Sequence, residues 1–158
     1  MLSFKYRLKP SEEQIVILKE QINICRRMYN YLLDYSYEKR KNVNKTPTMY
    51  DLVYLIPPLK KDYPELKQIY AQALENVAER VHSGFVNFWA RRMHKLKAGL
   101  PRFRREDDYN SITYRVRGYK IDKNTLTLSK IGVIPIILHR PIMGKIKRVT
   151  VMRDGEKW

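Results

Sequence analysis

The feature that most constrains the fold is a change of hydrophobic period near residue 100. Upstream, apolar residues recur at steps of three and four, which is typical of amphipathic helices. From Ile112 to Val116, apolar and polar residues alternate, which is typical of a half-buried strand. Between the two patterns, Lys97-Ala98-Gly99 followed by Pro101 predicts a helix end. The chain therefore joins a helical part to a sheet part at this point.

The chain also opens with an alternating pattern. Residues Leu2 to Leu8 alternate apolar and polar side chains, which predicts a strand that Pro10 stops. The nearest other strands follow residue 110, so this strand must pair across the helical part. About five short strands favour a small antiparallel β-barrel. The predicted fold class is α+β, with a barrel formed by residues 1–10 and 106–158 and interrupted after its first strand by a helical insertion over residues 11–105.

Local signals mark the first helix. Ser11 with Gln14 fits a capping box, and an apolar stripe follows from Ile15 to about Lys41. Cys25, the only cysteine, falls on this stripe. A lone cysteine excludes a disulfide framework, and we interpret it as a small core residue.

Two more helices precede the change of period. A short helix begins at Thr48, runs to about Leu55 and is ended by Pro57-Pro58. A long third helix begins near Glu65 and carries an apolar stripe to Phe88. Matching stripes on the first and third helices predict an antiparallel helical pair.

Turn residues divide the second half of the chain. Asp122-Lys123-Asn124 predicts a turn, and Pro135 confines the strand over residues 133–138 to an edge or a bulge. Asp154-Gly155 is a hairpin signal, and only residues 156–158 remain to return from it. We therefore expect the chain to be a fragment of a longer protein.

The charge balance indicates an anionic partner. The formal net charge is +16, with 32 Lys and Arg against 16 Asp and Glu. Seven of the cations lie between Arg91 and Arg105, where there is no acid. Nucleic acid is favoured over an anionic membrane surface. The sequence has no long apolar span and no secretory signal, so we expect a cytoplasmic protein without a membrane partner.

The densest cations are the first candidate contacts. We expect Lys97, Arg102, Arg104 and Arg105 to bind phosphate. Phe103 and Tyr109 are able to stack bases, although we favour a core role for Phe103 and for Trp89, which would fill the gap between helices and barrel. The basic surface extends over the barrel through Arg115, Arg117, Arg140, Lys145, Lys147 and Arg148. Such a surface reads the backbone of nucleic acid and not its sequence.

No catalytic constellation is predicted. His82, His94 and His139 lack metal-ligand spacing, and there is no phosphate-cradling loop or nucleophile motif. Asp107-Asp108 is interpreted as a loop pair and not as a metal site. We expect this chain to perform no chemistry by itself and to hold no cofactor.

Short motifs occur in a fixed order along the chain. Tyr6-Arg7-Leu8-Lys9-Pro10 opens it, Cys25-Arg26-Arg27-Met28-Tyr29-Asn30 lies on the first helix, and Gly99-Leu100-Pro101-Arg102-Phe103 follows the third. The others are Tyr63-Pro64-Glu65-Leu66, Ser111-Ile112-Thr113-Tyr114, Leu128-Ser129-Lys130-Ile131-Gly132 and Gly144-Lys145-Ile146. The series resembles the N-terminal lobe of the TnpB family, also called OrfB, which are transposon-encoded RNA-guided nucleases related to the smallest type V CRISPR effectors.

This resemblance implies a wedge-type barrel interrupted by recognition helices. It implies guide RNA and double-stranded DNA as partners, and RNA-guided DNA cleavage as the activity of the whole protein. In the family, a nuclease domain with three metal-binding carboxylates follows this lobe. The divalent metal is therefore expected in that domain and not in this chain.

The resemblance also implies which positions read the DNA motif beside the target. They match Tyr50, Gln72, Glu75, Asn76 and Thr113 here. Glu75 departs from the family, in which many members have Gln, and a carboxylate accepts but cannot donate a hydrogen bond. Two alternatives remain: a stand-alone DNA-binding regulator or transposition accessory that uses the helices as a helix-turn-helix, and a general RNA-binding protein that uses the barrel.

Overall fold

The computed structural model describes residues 2–158. A short strand, β1 (Arg7–Leu8), leads into the helices α1 (Glu12–Val43), α2 (Met49–Tyr54), α3 (Ile56–Asp62) and α4 (Ala71–Met93). The later strands are β2 (Ser111–Arg115), β3 (Tyr119–Asp122), β4 (Thr125–Leu128), β5 (Gly132–Ile137) and β6 (Arg148–Met152). Over the described residues, no helix combines the length and the apolar character needed to cross a membrane.

The first two of the three predicted helix starts are confirmed. The Ser11 hydroxyl accepts a hydrogen bond from the Gln14 N–H (3.2 Å), and the Gln14 amide oxygen accepts from the Ser11 N–H (3.0 Å). Thr48 and Asp51 make the same reciprocal pair at 3.2 and 2.8 Å. Each box satisfies two backbone donors that the first turn would otherwise leave free.

The prolines act differently from the prediction. Pro57 lies in the first turn of α3, where a missing N–H costs no hydrogen bond, so the pair begins a helix as well as following one. Pro64 likewise begins a 3-10 turn over Pro64–Gln68. Helix α4 therefore starts at Ala71 and not at Glu65.

The predicted antiparallel helix pair is wrong. Tyr37 and Phe85, both in the C-terminal halves of their helices, have ring centroids 5.8 Å apart. Near the other end, the Gln21 side chain donates to the carbonyl oxygen of Gln68, just before α4. The contacts advance in the same direction along α1 and α4, so the two helices run roughly parallel. Helices α2 and α3 return the chain between them.

Over residues 2–158, the strands form two antiparallel sheets and no closed barrel. One has the order β1-β5-β4-β3, and the other pairs β2 with β6. The α+β class is confirmed, but the barrel is not formed by residues 2–158. Strand β1 comprises two residues instead of seven, and on its second side the Leu8 N–H donates to the Trp158 carbonyl (2.9 Å). This single bond is too little to continue the ladder from one sheet to the other.

Strand β5 is central and not an edge, although it contains Pro135. The Lys9 N–H donates to the Pro135 carbonyl oxygen (2.9 Å). Because the N–H and C=O of one strand residue point to the same side, the missing donor of Pro135 faces the end of β1, where pairing stops anyway. The predicted turns are confirmed, between β3 and β4 and at Asp154-Gly155, where Asp154 and Lys157 exchange backbone hydrogen bonds.

A continuous core joins the helices to both sheets. Tyr114 of β2 is fully buried and stacks on Tyr70, with ring centroids 6.1 Å apart. Cys25 is buried in α1, as predicted. Strand β2 also packs against α4. The contacts of α4 with α1 and β2 fix the two ends of the segment between α4 and β2, which carries the densest charge.

Candidate nucleic-acid interface

The basic segment, residues Arg102–Arg105, lies along α1. Side chains of α1 hold it there through hydrogen bonds to the backbone of the segment. The Asn30 side chain accepts a hydrogen bond from the Arg104 N–H (2.8 Å) and donates to the Arg104 carbonyl oxygen (2.9 Å). The Arg26 guanidinium donates to the same carbonyl (3.3 Å). One amide thus satisfies both backbone groups of Arg104, as a neighbouring strand would.

The residues just before Arg104 are anchored as well. The Tyr37 hydroxyl donates to the Pro101 carbonyl oxygen, and its ring lies 6.1 Å from that of Phe103. Burial raises the pKa of Tyr37, which keeps this hydroxyl protonated as a donor. The Pro101 ring packs on Gly84, where an added Cβ would approach the proline Cγ to 2.9 Å. Gly84 interrupts the apolar stripe of α4 because the proline needs its space.

Anchoring through the backbone leaves the cations free. Arg102 and Lys97 are exposed, and Arg105 makes only an exposed 3.4 Å pair with Asp108. The Arg104 guanidinium lies 5.9 Å from the centroid of the Tyr29 ring, which limits its range of positions. The three predicted phosphate-binding arginines of the basic segment therefore lie together on a backbone that is held in place.

The aromatic predictions are reversed. Trp89 and Phe103 were expected in the core, but they are 40% and 52% exposed. Tyr109 was a stacking candidate, but it is 5% exposed and lies under the Arg80 guanidinium, 5.1 Å from its ring centroid. Burial raises the pKa of Tyr109. Tyr109 is buried and Pro101 is half-buried against Gly84, while the other two rings lie at the surface.

Arg80 joins α4 to β2, and the sequence interpretation missed it. Its guanidinium donates to the Asn76 amide oxygen (3.0 Å), the Ser111 carbonyl (3.1 Å) and the Thr113 hydroxyl (3.2 Å). Such a three-way contact is well suited to a planar fork of donors. The available signal was a lone arginine between the buried Val77 and Val81.

Two predicted motif-reading residues belong to this arrangement. Asn76 is buried and also donates to Glu79 (2.9 Å), while the buried Thr113 hydroxyl lies 3.0 Å from that of Thr150. Their polar groups already have partners within the protein. Arg115 is ion-paired with Glu79. Any contact of these three residues with DNA stays a prediction, and it would require the network to rearrange.

The remaining predicted residues lie elsewhere on the surface. Tyr50 is exposed on α2, and Lys145 and Lys147 are exposed in the loop before β6. Glu75 is half-buried on α4, and the side-chain oxygen of Gln72 is buried without a partner among residues 2–158. The structure therefore does not gather all the predicted residues into one patch.

Metal-ligating side chains do not converge in the described part of the chain. Over residues 2–158, no three His, Cys, Asp or Glu side chains are close enough to share a metal ion. Asp107 and Asp108 lie in an exposed 3-10 turn.

Two matches to known proteins bear on the ordered motifs of this chain. The family model HTH_OrfB_IS605, described as a helix-turn-helix domain, matches residues 1–45. The chain is 24% identical over 160 aligned residues to the "Putative RNA-guided DNA endonuclease InsQ" of Escherichia coli (strain K12). The alignment covers 99% of this chain but 38% of InsQ, so the chain spans well under half the length of that relative. Together the two matches confirm the resemblance of this chain to the TnpB/OrfB family.

Proposed function

We propose that this chain is the nucleic-acid-binding lobe of a TnpB-like RNA-guided DNA nuclease, which holds guide RNA and the DNA beside the target. The helices would serve as the recognition insert, and the two sheets would take the place of the wedge-type barrel. DNA cleavage and its divalent metal would belong to a domain outside this chain. The observation that carries the proposal is the basic segment, whose backbone is fixed while its arginines face solvent.

The hydrogen bonds of Asn30 and Tyr37 to the backbone of the segment, which we call the clamp, matter because they order the segment before nucleic acid binds. A free arginine-rich loop would lose conformational freedom on binding, which costs affinity. Asn30 and Tyr37 fix the segment at Arg104 and Pro101 beforehand. Arginine also suits the task because its planar fork of donors matches the geometry of a phosphate group.

The chain from residue 80 to the end of the segment carries charge of one sign, and the acids Glu106, Asp107 and Asp108 follow it. Residues 80–105 contain no Asp or Glu, and the whole chain carries a formal charge of +16. A positive surface of this kind attracts a polyanion and contributes most to binding that does not depend on base sequence. The similarity to InsQ favours RNA and DNA over other polyanions.

Salt-dependent binding tests the proposal. The Arg102, Arg104 and Arg105 to Ala triple variant removes three cations and should weaken binding to structured transposon-end RNA more than tenfold. The slope of log K against log salt should fall by about two, since each lost phosphate contact removes ~0.7–0.9. Fluorescence anisotropy at four salt concentrations would measure both quantities.

A matched control removes equal charge elsewhere. The Lys41, Lys45 and Lys61 to Ala variant also removes three exposed cations, and it leaves the basic segment intact. We expect it to retain most of the affinity and the slope. Equal losses in the two variants would show that net charge alone governs binding and would contradict a role for the segment.

A second candidate is a stand-alone DNA-binding regulator, which the description of the family model as a helix-turn-helix favours. Within residues 2–45, however, the structure contains β1 and the single helix α1, and α2 begins only at Met49. The same titrations distinguish the candidates. Much tighter binding of a short palindromic duplex than of the structured RNA would favour the regulator.

A further inference from the structure

An exposed apolar ridge runs along the C-terminal part of α4. Val86, Trp89 and Met93 lie three and four residues apart, so they share one face of the helix. They are 48%, 40% and 81% exposed. A contiguous apolar face of this kind on a soluble protein commonly marks a binding surface. We call these three residues the ridge.

Trp89 is held in place although it is exposed. Its ring lies 5.0 Å from that of Phe88 in an edge-to-face contact, and Phe88 is buried. The Arg40 guanidinium of α1 lies 5.1 Å from the Trp89 ring and 5.9 Å from the Phe88 ring. The indole is thus positioned from two sides, so a ligand that stacks on it would not have to order it first.

The surroundings of the ridge determine what can cover it. Arg91 and Arg92 lie in the last turn of α4, and Lys95 follows the helix. No acid occurs between residues 80 and 105. An apolar protein partner would have to neutralise or desolvate these cations. A single-stranded nucleic acid offers flat apolar bases together with phosphates, which matches both features of the surface.

The ridge is separate from the basic segment. Gly84, on which Pro101 packs, precedes Trp89 by five positions, which places the two about 140° apart around the helix. One side of α4 therefore supports Pro101 and the basic segment, and another side presents the indole. The ridge adds to the basic segment and does not duplicate it.

We propose that the ridge is a stacking site for unpaired bases of RNA, with Trp89 as the platform and Arg40 and Arg92 as partners for the adjoining phosphates. This inference rests on the proposed function for the choice of RNA. The bases of a duplex are already stacked on one another and leave no open face to the indole. The site is therefore selective for single-stranded over double-stranded segments.

Intrinsic fluorescence gives a direct readout. The chain has two tryptophans, and Trp158 is buried, so quenching by bound nucleic acid reports mainly on Trp89. A 12-nucleotide single-stranded RNA should quench the wild-type protein, and a blunt RNA duplex should not. Trp89→Phe should lose the quenching while keeping single-strand affinity within about threefold, because phenylalanine still stacks.

Removing the ring tests the affinity. Trp89→Ala should weaken binding of the single strand about tenfold, in line with the alanine cost of one stacked base, and leave duplex binding unchanged. Tyr31→Ala is the matched control, because Tyr31 is a similarly exposed aromatic residue on α1 away from the ridge. It should bind both probes as the wild type does.

The outcomes separate this inference from the proposed function. RNA binding by the wild type with no quenching, and with full affinity in Trp89→Ala, would overturn the stacking site and leave the proposed function intact. Tighter binding of single-stranded DNA of the same sequence would overturn the assignment to RNA. Failure of the wild type to bind any RNA would overturn the proposed function as well.

Discussion

At the scale of single residues, Asn30 shows how one side chain can anchor a neighbouring segment of backbone. Its amide presents a donor and an acceptor to the two backbone groups of Arg104. In the sequence, Asn30 was only the last position of the motif from Cys25 to Asn30. The geometry gives that motif a role, since Arg26 and Asn30 both hold the basic segment against α1.

Asn30→Ala should release the basic segment. Two hydrogen bonds to Arg104 are lost at an exposed site, so we expect a decrease of about 1 kcal/mol in the free energy of unfolding. The backbone amide of Arg104 should lose its protection from hydrogen exchange. RNA affinity should fall although no cation is removed, which urea titration, exchange and anisotropy would measure together.

Two variants control this experiment. Asn42→Ala changes an exposed asparagine in the last turn of α1 and should leave exchange at Arg104 unchanged. Asn30→Asp keeps the acceptor for the Arg104 N–H and loses the donor, so an intermediate effect is expected. Full protection of the Arg104 amide in Asn30→Ala would show that the clamp is dispensable.

The sequence predicted the exposure of single residues correctly where that exposure follows from local charge. The run of cations in the basic segment indicated exposed arginines, and the structure confirms this for Arg102 and Arg105. Trp89 was placed in the core wrongly, because its burial depends on which distant side chain fills the gap. The contact between Arg80 and Thr113 joins residues far apart in sequence, and no local pattern reports it.

At the scale of elements, α4 serves three neighbours at once. It packs against α1, is tied to β2 through Arg80, and accepts Pro101 at Gly84. A glycine inside a helix costs ~1 kcal/mol relative to alanine. Its presence there is explained by the close approach of the proline and not by the helix itself.

Gly84→Ala should displace the Pro101 ring while leaving α4 intact. An added Cβ would lie 2.9 Å from the proline Cγ, so the segment must shift outward. The gain in helix propensity of about 1 kcal/mol partly offsets the lost packing. We therefore expect a small change in thermal stability together with weaker RNA binding, measured by calorimetry and anisotropy.

Gly99→Ala provides the contrast, because nothing lies within 4 Å of the position of its added Cβ. It should leave RNA binding at the wild-type level. If Gly84→Ala binds RNA as well as Gly99→Ala does, the packing of Pro101 on α4 has no part in presenting the basic segment.

Element boundaries were predicted correctly where the signal is local. Each capping box involves residues three positions apart, so Ser11 and Thr48 could be read directly from the sequence. The direction of α4 relative to α1 could not, because it depends on how α2 and α3 return the chain. The prediction of a closed barrel was wrong for a similar reason. The length of β1 is set by the strands that pair with it and not by its own alternation of apolar and polar residues.

At the scale of the whole molecule, the core carries several buried groups that can lose a proton. Burial raises the pKa of the Cys25 thiol from 9.0 to about 12, although the Arg80 guanidinium opposes this shift. Burial also raises the pKa of Tyr109 and Tyr114 above the ordinary value of 10.0. These groups lie in both the helical and the sheet parts of the core.

Stability should therefore fall in alkaline solution. The unfolded chain releases these protons at lower pH than the folded protein does, so the stabilisation is fully present below pH 9 and is lost as the pH rises through about 12. Urea unfolding between pH 7 and pH 11 should show a constant midpoint at first and a declining one above pH 9. A midpoint that stays level or rises would contradict this prediction.

The pairing of β1 has a consequence for the order in which the molecule assembles. Leu8 pairs with Ile136, and its N–H reaches the carbonyl of Trp158. On a ribosome, the first strand must wait unpaired until nearly all of these residues have emerged. The helices, whose contacts are more local, can form meanwhile. Closure by β1 is therefore expected to be the last and slowest step of folding, and the anchoring of the basic segment on α1 can precede it.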